Sequence, residues 1–113
     1  MSDFLFPPTP VATIPVRGQS VVLAPERLFC IGRNYADHAT EMGAEIVREK
    51  PFFFLKGPHA VMRDGGEIPF PPETQNYHYE MELAVVLGRG GFRLDATAAR
   101  DHVFGYACAL DMT

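Results

Sequence analysis

Ten prolines and ten glycines in a chain of 113 residues constrain its fold more than any other feature. Proline removes a backbone donor and fixes φ, and glycine weakens the interior of helices and strands, so the chain is punctuated too often for a helical bundle. That density suits a loop-rich, strand-dominated fold. The prolines cluster first at Pro7, Pro8, Pro10 and Pro15, with short apolar pairs between them. Residues 1–27 are therefore predicted to form a proline-rich, extended arm, and residues 28–113 the body.

A content of 47% hydrophobic and 21% charged residues fits an ordinary folded domain rather than a disordered chain. The net charge of -4 offers no basic surface for a polyanion, which argues against nucleic acid and against an acidic lipid surface. The first residues lack a basic stretch followed by an apolar one, and no segment approaches the ~20 apolar residues of a membrane span. These features predict a cytoplasmic protein that does not associate with membranes. Cys30 and Cys108 both sit in apolar runs and read as buried, reduced thiols rather than a disulfide.

A strand over Leu28-Phe29-Cys30-Ile31 is expected to end at Gly32. Asn34 then caps a short helix over 35–42, closed by Gly43. Such a helix is too short to sustain itself, so it is either held by tertiary contacts or mobile. Phe52-Phe53-Phe54-Leu55 reads as a buried strand broken by Gly57-Pro58, and Gly65-Gly66 with Pro69, Pro71 and Pro72 as a string of turns. The strongest strand signal covers 77–88, which alternates at first and then becomes a continuous apolar run, predicting one exposed end and one end in the core. Asp95 is expected to cap a helix over 96–102, and a strand resumes at 105–110, giving a strand, crossover helix, strand unit. Gly88-Arg89-Gly90-Gly91 lacks the residues and spacing of a phosphate-binding loop and reads as a turn. The last strand runs into Leu110-Asp111-Met112-Thr113 with no turn signal, so the sequence looks cut in mid-element.

Glu80 and Glu82 are two apart on the predicted strand and therefore share a face. Carboxylates about 7 Å apart on a partly covered face repel unless a cation or a shared proton relieves them, and hard divalent ions prefer such oxygens. A solvated strand face is the commoner reading of an isolated pair. Asp111 follows eight uncharged residues on the strand expected beside Glu80 and Glu82, so three carboxylates could meet at one sheet edge, unless Asp111 merely caps a turn. His38 and Glu41 are three apart on the short helix. That spacing suits either a surface pair or an imidazole whose basicity a carboxylate raises. Arg33 offers a bidentate fork for a carboxylate, or is an ordinary surface arginine. Lys56 ends an apolar run and reads better as a snorkelling surface lysine than as a site residue. His59, His78 and His102 have no partner at ligand spacing and are set aside as non-catalytic.

Four segments occur in one order: Cys30-Ile31-Gly32-Arg33-Asn34-Tyr35-Ala36-Asp37-His38-Ala39, Phe54-Leu55-Lys56, Tyr79-Glu80-Met81-Glu82-Leu83-Ala84-Val85-Val86-Leu87-Gly88, and Gly105-Tyr106 leading to Leu110-Asp111-Met112-Thr113. Together they resemble the fumarylacetoacetate hydrolase family, most of all its branch of acylpyruvate and fumarylpyruvate hydrolases and related oxaloacetate decarboxylases. The resemblance runs from about Leu28 to Thr113. It implies an α+β, mainly β fold, a mixed β-sandwich roll with few short helices, usually assembled as a homodimer. It also implies that Glu80, Glu82 and Asp111 bind Mg²⁺ or Mn²⁺, that His38 and Glu41 form the dyad of a mobile lid helix, and that Arg33 contacts the keto-acid end of the substrate.

The implied reaction is hydrolysis of a C–C bond in an acylpyruvate such as fumarylpyruvate. The His38/Glu41 pair would take a proton from the attacking water, and the products would be pyruvate and a carboxylic acid. The same site chemistry would serve an oxaloacetate decarboxylase, or a 2-hydroxyhepta-2,4-diene-1,7-dioate isomerase/decarboxylase of aromatic catabolism. From another class, the chain could be a metal-binding or dimerisation module without activity. Family members continue past the equivalent of Thr113 for roughly as many residues again. Residues 28–113 are therefore expected to be the N-terminal part of a catalytic domain, incomplete in this chain and inactive alone.

Overall fold

In the computed structural model, residues 3–32, 50–63 and 65–113 are described. The chain divides into two units, Met1–Ile68 and Pro69–Thr113.

In the first unit the proline-rich arm is not extended throughout. Strands β1 (Ile14–Pro15) and β2 (Val22–Leu23) form a small antiparallel hairpin with Ile14 opposite Leu23. Gly18, at φ +75°, supplies the left-handed residue of its turn, and Gln19 N–H donates to the Val16 carbonyl at 3.1 Å. Strands β3 (Leu28–Gly32) and β4 (Phe52–Lys56) follow the apolar runs as expected and pair antiparallel, from Leu28 opposite Lys56 to Gly32 opposite Phe52. A single turn of 3₁₀-helix at Pro58–Ala60 follows the Gly57-Pro58 break.

The expected burial of β4 is not observed. Phe29, Ile31, Phe53 and Leu55 share one face of the ladder, and Phe53 and Leu55 are 60% and 67% exposed. Hydrophobicity marks what gains by burial, but a two-stranded ladder has no second layer of its own to cover that face.

The second unit is built on β5 (Tyr79–Leu87) and β6 (Val103–Met112), joined through helix α1 (Ala96–Arg100). The two strands pair antiparallel along their length, from Tyr79 opposite Met112 to Leu87 opposite Val103, with a bulge between Val86 and Leu87. This corrects the crossover topology expected from the sequence. The connection leaves and returns at the same end of the ladder, where Gly88 N–H donates to the His102 carbonyl at 2.9 Å, so nothing crosses a sheet face. Within that connection the Arg89 guanidinium donates to the Asp101 carbonyl at 2.8 Å, and the His102 ring Nδ1 donates to the Arg89 carbonyl at 3.2 Å.

Asp95 caps α1 as expected, its Oδ1 accepting from Ala98 N–H at 2.8 Å. The helix stops at Arg100 rather than at 102 because Asp101 is already its C-cap and His102 begins the closure onto Arg89. Burial alternates along the whole of β5, so the apolar run at 84–87 does not form a core end: Val85 and Leu87 remain exposed. Among the described residues no large side chain is fully buried, Cys108 is exposed and Cys30 half-buried, and neither is in a disulfide. No helix among the described residues is long and apolar enough to cross a membrane.

Candidate functional site

The strand period of two carries Glu80 and Glu82 to one face of β5, and the ladder register sets Asp111 of β6 directly opposite Glu80 and Ala109 opposite Glu82. Ladder geometry sets the scale of this arrangement. Directly paired Cα atoms are about 5.5 Å apart in a hydrogen-bonded antiparallel pair, same-face neighbours along a strand about 7 Å, and diagonal neighbours about 7–8 Å. Three carboxylates thus rise from three adjacent points of one surface. The antiparallel direction is what brings them together, because a parallel return would carry Asp111 toward Leu87 instead.

The burial of this face runs against ordinary strand patterning. Glu80, Glu82 and Asp111 are half-buried, whereas the apolar Tyr79, Met81 and Leu83 on the other face are exposed, Tyr79 to 75%. Carboxylates on the more covered face lose hydration, which is unfavourable unless they gain compensating partners. Their like charge adds repulsion that a hard cation would relieve. Among the described residues no three His, Cys, Asp or Glu side chains form a group that could hold an ion as placed. Glu80 and Asp111 are both engaged in other interactions of the chain. The donor set itself fits a divalent ion of the Mg²⁺ or Mn²⁺ kind: hard oxygen ligands, three in number, on backbones fixed by one ladder. Rotation about the side-chain bonds alone would change how closely the three oxygens approach.

Of the other residues expected in a site, Arg33, His38 and Glu41 lie outside the described residues. Lys56 is the last residue of β4, half-buried and opposite Leu28. His59 lies in the 3₁₀ turn, and His102 is held by the Arg89 carbonyl in the β5–β6 connection. His78 is different. Its backbone extends the β5 row by one step of two, exchanging hydrogen bonds with Thr113 at 2.7 and 2.9 Å, so it stands in line with Glu80 and Glu82. From the sequence it is set aside as non-catalytic, and the spacing 78, 80, 82 is the signal that places it in this row.

Residues 27–113 match the family model described as fumarylacetoacetate (FAA) hydrolase C-terminal. The chain is 47% identical over 88 residues to a mitochondrial oxaloacetate decarboxylase of Dictyostelium discoideum, covering 77% of this chain and 40% of that protein. It is 44% identical over 88 residues to the mitochondrial oxaloacetate tautomerase FAHD1 of Homo sapiens, covering 78% of this chain and 39% of that one. The crystal structure of fumarylpyruvate hydrolase from Pseudomonas aeruginosa in complex with Mn²⁺ and pyruvate superposes with a TM-score of 0.90 at 42% identity. That match covers 98% of this chain and 49% of the other. The chain therefore spans about two fifths of the curated relatives and about half of this structural one. The strand-dominated fold with short helices is that of these enzymes, and the ordered motifs, the family model and the superposition agree that this chain belongs to the fumarylacetoacetate hydrolase family.

Proposed function

We propose that the chain carries the metal-binding part of a divalent-metal-dependent hydrolase that cleaves a C–C bond of an acylpyruvate, with fumarylpyruvate as the leading substrate, to give pyruvate and a carboxylic acid. The observation that carries this reading is the half-buried carboxylate face, with Asp111 opposite Glu80 and Glu82 two residues along. The structural relative described with Mn²⁺ and pyruvate supports it. Residues 28–113 would be the N-terminal part of the catalytic domain and residues 1–27 its arm. A homodimer and a cytoplasmic, reducing setting complete the reading, the latter consistent with Cys30 and Cys108 not being joined in a disulfide.

Glu80, Glu82 and Asp111 would hold Mg²⁺ or Mn²⁺. When bound, that ion supplies positive charge against the carboxylate and carbonyl oxygens of a keto acid. Arg33 would bind the keto-acid end through its two-pronged guanidinium. His38 would accept the proton of the attacking water, and Glu41, three residues on, would orient the ring and favour its protonated form.

A second reading takes oxaloacetate as the substrate, with decarboxylation or tautomerisation in place of hydrolysis. It is favoured by the names of the sequence relatives. Assaying the full-length protein that contains this chain against fumarylpyruvate and oxaloacetate side by side, with Mn²⁺ titrated into wild type and Glu82→Gln, tests both. Hydrolysis of fumarylpyruvate at a kcat/KM at least tenfold above oxaloacetate turnover supports the first reading, and the reverse order the second. Equal Mn²⁺ affinity in the two proteins would remove the metal site from either.

A further inference from the structure

His78 stands in the same strand row as Glu80 and Glu82, and the structure holds its ring in place. Its Nε2 hydrogen-bonds the Asn76 side-chain oxygen. Asn76 is fixed in turn by Thr74, whose Oγ1 accepts from Asn76 N–H at 3.0 Å and donates to the Asn76 carbonyl at 3.2 Å. An edge-to-face contact between Phe70 and Tyr77, with centroids 5.5 Å apart, ties down the loop carrying this relay. An amide oxygen only accepts, so Nε2 is the nitrogen that carries the proton. In the neutral ring Nδ1 is then an acceptor.

We propose that His78 is a positioning residue of the carboxylate face, oriented by Asn76, whose Nδ1 accepts a hydrogen bond from the water shell of the bound divalent cation. The inference rests on Glu80, Glu82 and Asp111 being the metal-binding set. Three carboxylates binding through one oxygen each fill half of an octahedral ion, hard cations keep several of their waters, and the protons of those waters need acceptors. A neutral imidazole serves as one without adding a fourth negative charge to a face that must admit an anionic keto acid. Outer partners of this kind typically change metal affinity 10- to 100-fold when removed.

The test is calorimetric titration of MnCl₂ into the full-length protein that contains this chain, as wild type, Glu82→Gln, His78→Ala, His78→Gln, Asn76→Ala and the His78→Ala/Asn76→Ala double variant, with pulsed EPR of bound Mn²⁺. The expected result is a loss of about tenfold in affinity for His78→Ala, a comparable loss for Asn76→Ala, and no further loss in the double variant. His78→Gln, which offers an acceptor oxygen, retains most of the affinity, and the EPR shows no directly coordinated nitrogen. Wild-type affinity in His78→Ala, with binding abolished in Glu82→Gln, overturns the role of His78 and leaves the carboxylate site standing. So do additive losses in the double variant, or a nitrogen bound directly to Mn²⁺. Failure of the wild type to bind Mn²⁺ would instead remove the reading on which the inference rests.

Discussion

Glu80 and Asp111 face each other across the β5–β6 ladder, on the half-buried side of a strand pair whose other side is apolar and exposed. Because backbone pairing fixes this relationship, a neutral isostere at either position should leave the ladder intact while removing a charged ligand. Asp111→Asn and Glu80→Gln are each expected to weaken Mn²⁺ binding at least tenfold in the full-length protein that contains this chain. Amide exchange along 79–87 should stay near wild type. Unchanged affinity in both variants would count against the three-carboxylate set.

In the proposed reading His38 acts in the chemistry rather than on the ion. His38→Ala is expected to lower kcat for fumarylpyruvate by about two to four powers of ten, with Mn²⁺ affinity retained. Steady-state kinetics beside a metal titration separates the two roles. Undiminished turnover would make His38 a bystander.

The five-residue helix α1 depends on its cap. Helices this short are not self-sustaining, and the Asp95 carboxylate satisfies one of the first free N–H groups, that of Ala98, at 2.8 Å. Asp95→Ala should cost about 1 kcal/mol, and Asp95→Asn much less. Urea denaturation, with exchange of the Ala98 amide as a local probe, distinguishes them.

Gly32 pairs with Phe52 at the end of the β3–β4 ladder, and the Phe52 ring lies over the space a side chain at 32 would need. A methyl group there overlaps ring carbons, but they are the far end of a half-exposed side chain that can turn aside, so Gly32→Ala should destabilise the ladder by no more than about 1 kcal/mol. Because the obstacle is one side chain, Phe52→Ala in the same molecule should recover part of that loss, a non-additivity visible in the denaturation midpoints. Simple additivity would show that the strain lies elsewhere.

The sequence made Glu80 and Glu82 legible because a strand's side-chain period is fixed by its backbone, and the Asp95 cap was legible because capping chemistry is local. Asp111 was legible as a third carboxylate on the strand beside Glu80 and Glu82, but the route of the connection was not: whether 88–102 crosses the sheet or folds back is decided by pairing direction, which no local pattern encodes. Burial was the least legible property. The triplet Phe52-Phe53-Phe54 announces a preference for an apolar environment, yet Phe53 is exposed, because covering a face requires a second layer that the strand itself does not specify. The hydrogen bond of His78 was illegible for a related reason: its partner Asn76 lies two residues back through a turn, outside the spacings at which side-chain pairs are sought.

The exposed face of β5–β6 has a direct consequence for the behaviour of the 113-residue chain in solution. Tyr79, Met81, Leu83, Tyr106 and Leu110 lie together on it, with Leu83 58% and Tyr106 68% exposed. A contiguous apolar surface on a strand pair favours self-association and dye binding. The chain of residues 1–113 is therefore expected to bind anilinonaphthalene sulfonate and to elute larger than a monomer at micromolar concentration. Leu83→Lys sets a charge in the middle of that face, where little packing is lost because the side chain is already largely exposed. It should reduce both signals while changing stability by less than about 0.5 kcal/mol. Light scattering after size exclusion, read beside dye fluorescence, decides the matter: a wild-type monomer that binds no dye would mean that this face is covered in solution.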